Sequence, residues 1–341
     1  MDDSTGYDCE QLRVVWDRQS RARVLVAVHD TRLGPAHGGI RRWSYESVAA
    51  AHRDVAALAR AMTWKCALAE VPAGGGKAVI LDRPDLDRAA AYRLVGRIVE
   101  SLGGAFYTGP DVNTSAEDLR AVAEETAYVA TDARDGPGDL AAATAEGVLR
   151  ATLALAGRLG RPVDQLRCVV QGLGAVGYGL CERLAARGAS LSVADVVPAR
   201  VASAVTAFGA RAVGVEEALA TEADIYAPCA LGGVLTADVV RSIPVGGVCG
   251  AANNVFADGA AIQAAHARGL VVVPDFVANA GALIQGALWN LRRERVGVDR
   301  IRRIGATVEE VLARAASDGV PPHELALQLA RERVERAGAT S

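Results

Sequence analysis

The sequence predicts an α/β fold in two domains, the second of them a doubly wound parallel sheet. Its 341 residues suit two domains of ordinary size, and 51% of them are hydrophobic, enough for packed cores. From residue 167 onward, short apolar runs alternate regularly with stretches of helical spacing, the pattern of strands joined by crossover helices. The first half is arranged differently, and Gly, Pro and Asp cluster between the halves at 132–139 (DARDGPGD), which reads as a hinge. Residues 1–134 are therefore expected to form the first domain and 135–290 the second. Residues 291–341 should be helices packing back towards the first.

The elements follow in order. In the first domain, 23–29 and 77–81 look like strands, and 47–60 and 85–101 like amphipathic helices. In the second, 167–171 (RCVVQ) is a strand ending at glycines, and 177–187 has helical spacing. Residues 190–194 form the next strand, ending in Asp195, and 198–208 the next helix. Short apolar runs at 225–227, 247–250 and 270–273 follow, with helices such as 257–268 between them. After Trp289 the chain reads as helical and arginine-rich to its end, with one break at Pro321-Pro322.

Composition excludes several classes of function. A net charge of −3 leaves no basic footprint for nucleic acid, and 4% aromatic residues make base-stacking platforms improbable. The longest uncharged runs, 242–257 and 276–291, have sixteen residues each and contain Asn and several Gly. A membrane span wants about 20 apolar residues. The acidic start, MDDSTGYDCE, has no apolar core and does not read as a signal peptide. Six scattered cysteines have neither CxxC pairing nor metal-ligand spacing, so no metal is expected and the thiols read as reduced, in a cytoplasmic protein. Of the 37 basic residues only two, Lys65 and Lys77, are lysine. Arginine cannot give up its proton at neutral pH whereas a buried lysine can, so these two are candidates for positions that need an amine.

Gly172-Leu173-Gly174-Ala175-Val176-Gly177 follows a strand and opens a helix, and Asp195 ends the next strand. This is the context that a Rossmann-type dinucleotide fingerprint demands. Gly172 and Gly174 would permit the tight turn and close approach of a pyrophosphate to the helix N-terminus at Ala175 and Val176. Gly177 would allow close helix–strand packing. Asp195 would accept hydrogen bonds from the adenosine ribose and repel a 2′-phosphate, which favours NAD over NADP. Arg200, one helical turn on, leaves NADP open. The bland alternative is a glycine-rich turn that binds nothing.

Residues 62–80 read MTWKCALAEVPAGGGKAVI. Three glycines leading into a lysine make a backbone that can approach a ligand closely. A phosphate-binding GxxxxGK[ST] loop is not matched, because Ala78 follows Lys77. A solvated lysine beside a flexible turn stays open on these residues alone.

This segment resembles the MT-[YW]-K…GGGK signature of the amino-acid dehydrogenases acting on glutamate, leucine, phenylalanine and valine. The pattern is nearest to the leucine, phenylalanine and valine enzymes. The resemblance runs along nearly the whole chain: 34–41 (GPAHGGIR), 109–114 (GPDVNT), 139–147 (DLAAATAEG), 228–233 (PCALGG), 250–254 (GAANN) and 274–281 (PDFVANAG) match further elements of that family in order. It implies an NAD-binding second domain and a first domain that binds substrate, carries catalysis and makes oligomer contacts. The activity implied is oxidative deamination of an L-amino acid to its 2-oxo acid and ammonia, and the reverse. Lys65 would anchor the substrate carboxylate, Lys77 would activate water, and Asp111 would shuttle protons to and from the substrate nitrogen. Asn279 would help hold the carboxylate, and Gly38 and Gly39 would form part of the substrate floor. Thr144 would sit near the nicotinamide carboxamide and Asn253 near its ribose, with Cys229 and Ala230 also lining the cofactor site. A homo-oligomer is expected, since relatives form dimers, hexamers and octamers.

The implied chemistry is coherent. A lysine with a pKa of about 10.4 is protonated near neutrality and useless as a base. Desolvation in a closing cleft, with Lys65 as a cationic neighbour, would push Lys77 down, while an ionised Asp111 would oppose that, so the pair should titrate as a unit. Three departures from the family pattern stand out. Asn113 replaces a glycine beside Asp111, and Leu140-Ala141-Ala142 replaces a Pro-Ser-Pro run. His37 stands where the branched-chain enzymes have leucine and the glutamate enzymes lysine. It is either a histidine at the cleft rim or a hydrogen-bonding wall of the side-chain pocket. Gly109 would deepen that pocket, and Gly305 and Val308 would line its other wall. A large apolar or aromatic amino acid is the substrate this favours. The altered segments also leave open a biosynthetic imine or 2-oxo-acid reductase. Lys65, Lys77 and Asp111 together argue against a silent NAD-binding regulator. His29, His52, His266 and His323 read as surface or rim histidines, Cys66 as a packed thiol, and 292–303 as a solvated helix face or subunit contact.

Overall fold

The computed structural model describes residues 8–130 and 136–339. Half of the expected hinge (132–135), and the boundary expected at 134/135, lie outside the described residues. The chain divides into two compact units: Met1–Gly138 with Ile284–Val296 and Ala330–Ser341, and Asp139–Leu283 with Gly297–Leu329.

In the first unit the elements are β1 (Gln11–Asp17), β2 (Ala22–Asp30), β3 (Ala36–Trp43), α1 (Val48–Leu68), β4 (Gly74–Leu81), α2 (Arg88–Glu100), β5 (Phe106–Pro110) and α3 (Ala116–Ala123). The sheet order is β1-β2-β4-β3-β5. β2 pairs antiparallel with β1 and β4, whereas β3 lies parallel to both β4 and β5. Alternation along β2 and β4 sends Leu25, Ala27, Val79 and Leu81 to one face, against Ala51, Val55 and Ala59 of α1. Val24, Val26, Ala78 and Ile80 go to the other, against Tyr92, Val95 and Val99 of α2. α1 is capped by Ser47, whose side chain accepts from Ala50 N, and runs past its expected end through the MTWK segment, so Lys65 lies in its last turn.

The glycines of GGGK belong to β4 itself and are buried. A Cβ on Gly74 would sit 1.8 Å from the Asp30 carbonyl oxygen, and one on Gly75 2.2 Å from the Ala59 oxygen and the Thr63 nitrogen. They are small because neighbouring backbone lies against them. This corrects the reading of a ligand-facing glycine turn.

The second unit begins with α4 (Leu140–Arg158), then alternates β6 (Arg167–Gln171), α5 (Ala175–Ala185), β7 (Ser190–Ala194), α6 (Pro198–Phe208), β8 (Arg211–Ala212), β9 (Ile225–Pro228), α7 (Ala237–Ser242), β10 (Gly247–Val248), α8 (Gly259–Arg268) and β11 (Val271–Val272). All pairings are parallel, in the order β11-β10-β9-β6-β7-β8. This is the doubly wound order whose connections reverse between the first and fourth strands, here β6 and β9, where ligands bind at the carboxyl ends. Four short or long helices follow: α9 (Asp275–Ala278), α10 (Gly281–Arg292), α11 (Val298–Asp318) and α12 (Pro322–Gly338). α4 has the length and apolarity of a membrane span, but 67% of that stretch is buried inside the unit.

The C-terminal region departs from expectation in two ways. The arginine run is not one helix: α10 stops at Arg292, Arg293 turns left-handed with φ 54°, and the guanidiniums of Arg293 and Arg295 lie over the Trp289 ring. α11 packs along α4 within the second unit, where Gly147 makes room for Ile304, so 297–329 group there rather than with the first domain.

α4 carries a buried carboxylate, Glu146, ringed by Arg150 at 2.7 Å, Arg183 at 3.4 Å and Arg302 at 3.4 Å. Burial raises its pKa, but the three arginines outweigh that and hold it below the ordinary range. Its stabilising contribution is therefore complete above the unfolded-state pKa and is lost as pH falls through the lower folded value. Glu146→Gln should cost the second unit about 3 kcal/mol. Denaturant titration at neutral pH checks this, and the cost should shrink on acidification.

Candidate active site

In the first unit the two residues assigned to proton transfer meet. Lys77, on β4 between β2 and β3, is 5% exposed, and its Nζ lies 2.9 Å from Oδ2 of Asp111, just beyond β5. Burial pushes the Lys77 amine below its ordinary value, and the Asp111 charge opposes without cancelling that. Burial also raises Asp111, but Lys77 and then Arg41 more than offset it, so the carboxyl sits below its ordinary range. Arg41 adds a cation to this network: its Nε donates to the same Asp111 oxygen at 3.1 Å. Expectation had given the neighbouring charge to Lys65, which lies half-buried in the last turn of α1. Arg41 Nη1 also reaches Asp54 of α1 at 3.2 Å, and Asp54 accepts from the Tyr45 hydroxyl. Arg41 was visible inside the GPAHGGIR motif, but nothing local in the sequence pairs it with Asp54 or Asp111.

Asn113 adopts the left-handed region, φ 60°, that a glycine would occupy, and its Nδ2 donates to the Arg42 carbonyl at 3.0 Å. Gly39 sits directly under this loop: a Cβ there would lie 2.8 Å from the Asp111 Cβ. On Gly38 one would meet the Gly76 carbonyl oxygen at 1.8 Å, with Met62 Cγ 3.5 Å away. Among the described residues, a Cβ on Gly109 would have the Ala130 methyl in ordinary contact range, at 3.5 Å.

His37 is not a rim histidine. It is 8% exposed, and Asn290 Nδ2 lies 3.0 Å from its Nε2. Burial first, then the Lys77 charge, pushes the imidazole down to about 4, so it is neutral near neutral pH. Its Nδ1 is buried without a partner among the described residues. His29 is also buried rather than on the surface, bonded to Thr63 Oγ1 at 2.8 Å and edge-on to Trp64. Cys66 is a packed thiol raised by burial to about 12.

In the second unit the fingerprint residues form a turn between β6 and α5. Gly172 has φ +99°, and Gly177 is pressed so close that a Cβ would fall 1.9 Å from the Gly172 carbonyl oxygen. Gly174 caps α5 with no side chain and has open space where a Cβ would be, so the amides of Ala175, Val176 and Gly177 open the helix with no capping side chain. Asp195 accepts from Leu173 N at 2.6 Å and Val197 N at 2.8 Å, with Arg200 3.7 Å away. A cleft of about 140 Å³ opens here, lined by Gly172, Asp195, Val196, Tyr226, Ala230 and Leu231. The glycine cradle, bare helix N-terminus and fixed carboxylate suit a dinucleotide. Cys229 borders the turn, its thiol raised by burial to about 11.

Beside this turn, the Thr144 hydroxyl donates to Leu140 O at 2.9 Å and accepts from Ala282 N at 3.2 Å. Asn279 donates both Nδ2 hydrogens, to Ala251 O at 3.1 Å and to the Oδ1 of the exposed Asn253 at 2.8 Å; its own Oδ1 is buried and unpartnered. In this arrangement both Asn279 donors are taken up inside the second unit. Val308 is wholly buried in the second unit, and Gly305 lies over Arg150, both on α11.

Residues 11–134 match the family model described as Glu/Leu/Phe/Val dehydrogenase, dimerisation domain, and 197–339 match that of Glutamate/Leucine/Phenylalanine/Valine dehydrogenase. The chain is 39% identical over 338 residues to leucine dehydrogenase of Bacillus subtilis strain 168, covering 97% of this chain and 92% of that protein. It is 36% identical over 354 residues to phenylalanine dehydrogenase of Bacillus thermotolerans, covering 99% and 92%. Among solved structures, L-tryptophan dehydrogenase from Nostoc punctiforme superposes with a TM-score of 0.87 at 33% identity, covering 98% of each chain.

Proposed function

The chain belongs to the Glu/Leu/Phe/Val dehydrogenase family, and on that premise we propose that it oxidatively deaminates a large apolar or aromatic L-amino acid with NAD, and runs the reverse reductive amination. The observation that carries the reading is the buried Lys77 amine 2.9 Å from the Asp111 carboxylate. Asp111 takes a proton from the substrate ammonium, leaving an amine whose lone pair can drive hydride loss from Cα. NAD would be held at its pyrophosphate by the glycine turn, at its adenosine ribose by Asp195 and beside its nicotinamide by Thr144 and Asn253, and when bound it would supply the hydride acceptor. Lys77, unprotonated, removes a proton from water as its oxygen adds to the iminium carbon. Asp111 then returns a proton to nitrogen and, ionised again, takes the hydroxyl proton as the C–N bond breaks and the C=O bond forms, leaving the 2-oxo acid and ammonia; both protonated groups then lose their protons to solvent. Lys65 anchors the carboxylate, and His37, Gly38, Gly39 and Gly109 surround the side chain.

NAD is favoured over NADP because the Asp195 carboxylate, ionised and fixed by two backbone amides, repels a 2′-phosphate. The leucine, phenylalanine and tryptophan activities named for the relatives support an apolar or aromatic side chain. Assembly into homo-oligomers through the first unit belongs to the same proposal.

Following NADH formation across the twenty amino acids at alkaline pH tests it. Turnover should be greatest with leucine-sized or aromatic substrates, with NADP giving about a tenth or less of the kcat/KM seen with NAD. Absence of turnover with any amino acid would sink the reading.

A further inference from the structure

Two of the charges around Lys77 have no part in the steps above: Arg41 and Asp54. Arg41 is three-quarters buried, and its ends are spoken for separately: Nε goes to Asp111 and Nη1 to Asp54. Asp54 is fixed in turn by the Tyr45 hydroxyl, whose own ionisation is pushed up by burial and by that carboxylate. The chain of contacts thus runs from the loop after β3, through α1, back to β3, and on to Asp111 and β4. Both cations make their closest contact with Asp111 at Oδ2.

We propose that Arg41 is a positioning residue for the reaction: anchored by Asp54 and Tyr45, it pins Asp111 by Oδ2 and leaves Oδ1 for proton exchange with the substrate nitrogen. The inference rests on the proton-transfer role given to Asp111 above. A guanidinium suits this task because it stays charged and holds two carboxylates in fixed directions at once. A lone Lys77 contact would let the carboxylate swing about its single partner. Arg41 also divides the Asp111 charge, so Lys77 feels less of the field that would keep it protonated; its own cation acts in the same direction, whereas Asp54 acts against it.

The two-lysine composition makes this directly readable. Protein carrying lysine labelled with carbon-13 at Cε should give two side-chain signals, and Lys65→Arg identifies the one from Lys77. The groups facing Lys77 are Asp111 beyond β5, Arg41 and His37 on β3, and Asp54 on α1. Arg41→Gln should raise the Lys77 titration midpoint and lower kcat by about 100-fold, with cofactor affinity unchanged. Asp54→Asn, which keeps the shape of the network, should move the midpoint the other way. A general loosening of the site would shift both variants in one direction, and that result, or no shift in either, overturns the inference. Failure of the wild-type enzyme to oxidise any amino acid would instead strike at the proposed function, because the titration is read without turnover.

Discussion

Lys77→Arg is expected to remove turnover while leaving the folded chain and its cofactor affinity in place. The side chain lies buried on β4 against Asp111, so a guanidinium would keep the positive charge beside that carboxylate. What it cannot do is lose a proton near neutral pH. General-base catalysis is worth about 10²–10⁴-fold, and the loss in kcat should fall in that range. Lys77→Met supplies the complementary case, an unbranched side chain with neither charge nor base. If Lys77 acted only as a cation, the arginine variant would stay active and the methionine variant would fail. Proton transfer requires both to fail.

The pH dependence follows from the same group. Burial lowers the Lys77 pKa, so the deamination rate should climb as pH rises through a midpoint below that of an ordinary lysine. That limb should vanish from the residual activity of Lys77→Met. Retention of more than about a tenth of wild-type kcat by Lys77→Arg would remove Lys77 as the base.

What could be read from the sequence depended on whether the signal was local. β6, β7 and α6 were placed at their observed bounds because parallel strands buried on both faces make short apolar runs between helices. β3 carried no strand signal, since Gly38 and Gly39 interrupt it, yet it is the strand to which both β4 and β5 pair. The same weakness hid the first three residues of β4. Their glycines suggested a flexible turn, when Asp30 backbone lies against Gly74, α1 against Gly75 and the Phe106 ring against Gly76, so that no side chain fits.

The site followed the same rule. Lys77, Asp111 and the glycine turn sit in motifs, and local context was enough to single them out. The His37–Asn290 contact joins residues 253 apart, and Arg41 reaches Asp111 across 70. No periodicity reports such pairs, so the sequence could offer His37 as rim or pocket but not show that its ring is buried and tied to an amide. Asn279 shows the converse limit. Its motif suggested a carboxylate ligand, but hydrogen-bond accounting commits both of its donors to Ala251 and Asn253.

Gly174→Ala and Gly177→Ala should both weaken cofactor binding, for different physical reasons that stability measurements can separate. A methyl on Gly177 would be driven to within 1.9 Å of the Gly172 carbonyl oxygen and 3.0 Å of the Cys229 Cβ. Backbone must move, so α5 has to lift from β6, at an overpacking cost of about 1–3 kcal/mol or more. A methyl on Gly174 meets nothing within 4 Å. The second unit should therefore keep its stability, and the methyl would project at the helix N-terminus, where a pyrophosphate must come close to bare amides. Measured by NADH fluorescence titration and by thermal melting, Gly177→Ala should lose both affinity and melting temperature. Gly174→Ala should lose at least about tenfold in affinity with the melting temperature held. Unchanged NADH affinity in Gly174→Ala would mean that the turn between β6 and α5 is a packing device alone, and the cofactor would have to be sought elsewhere in the second unit.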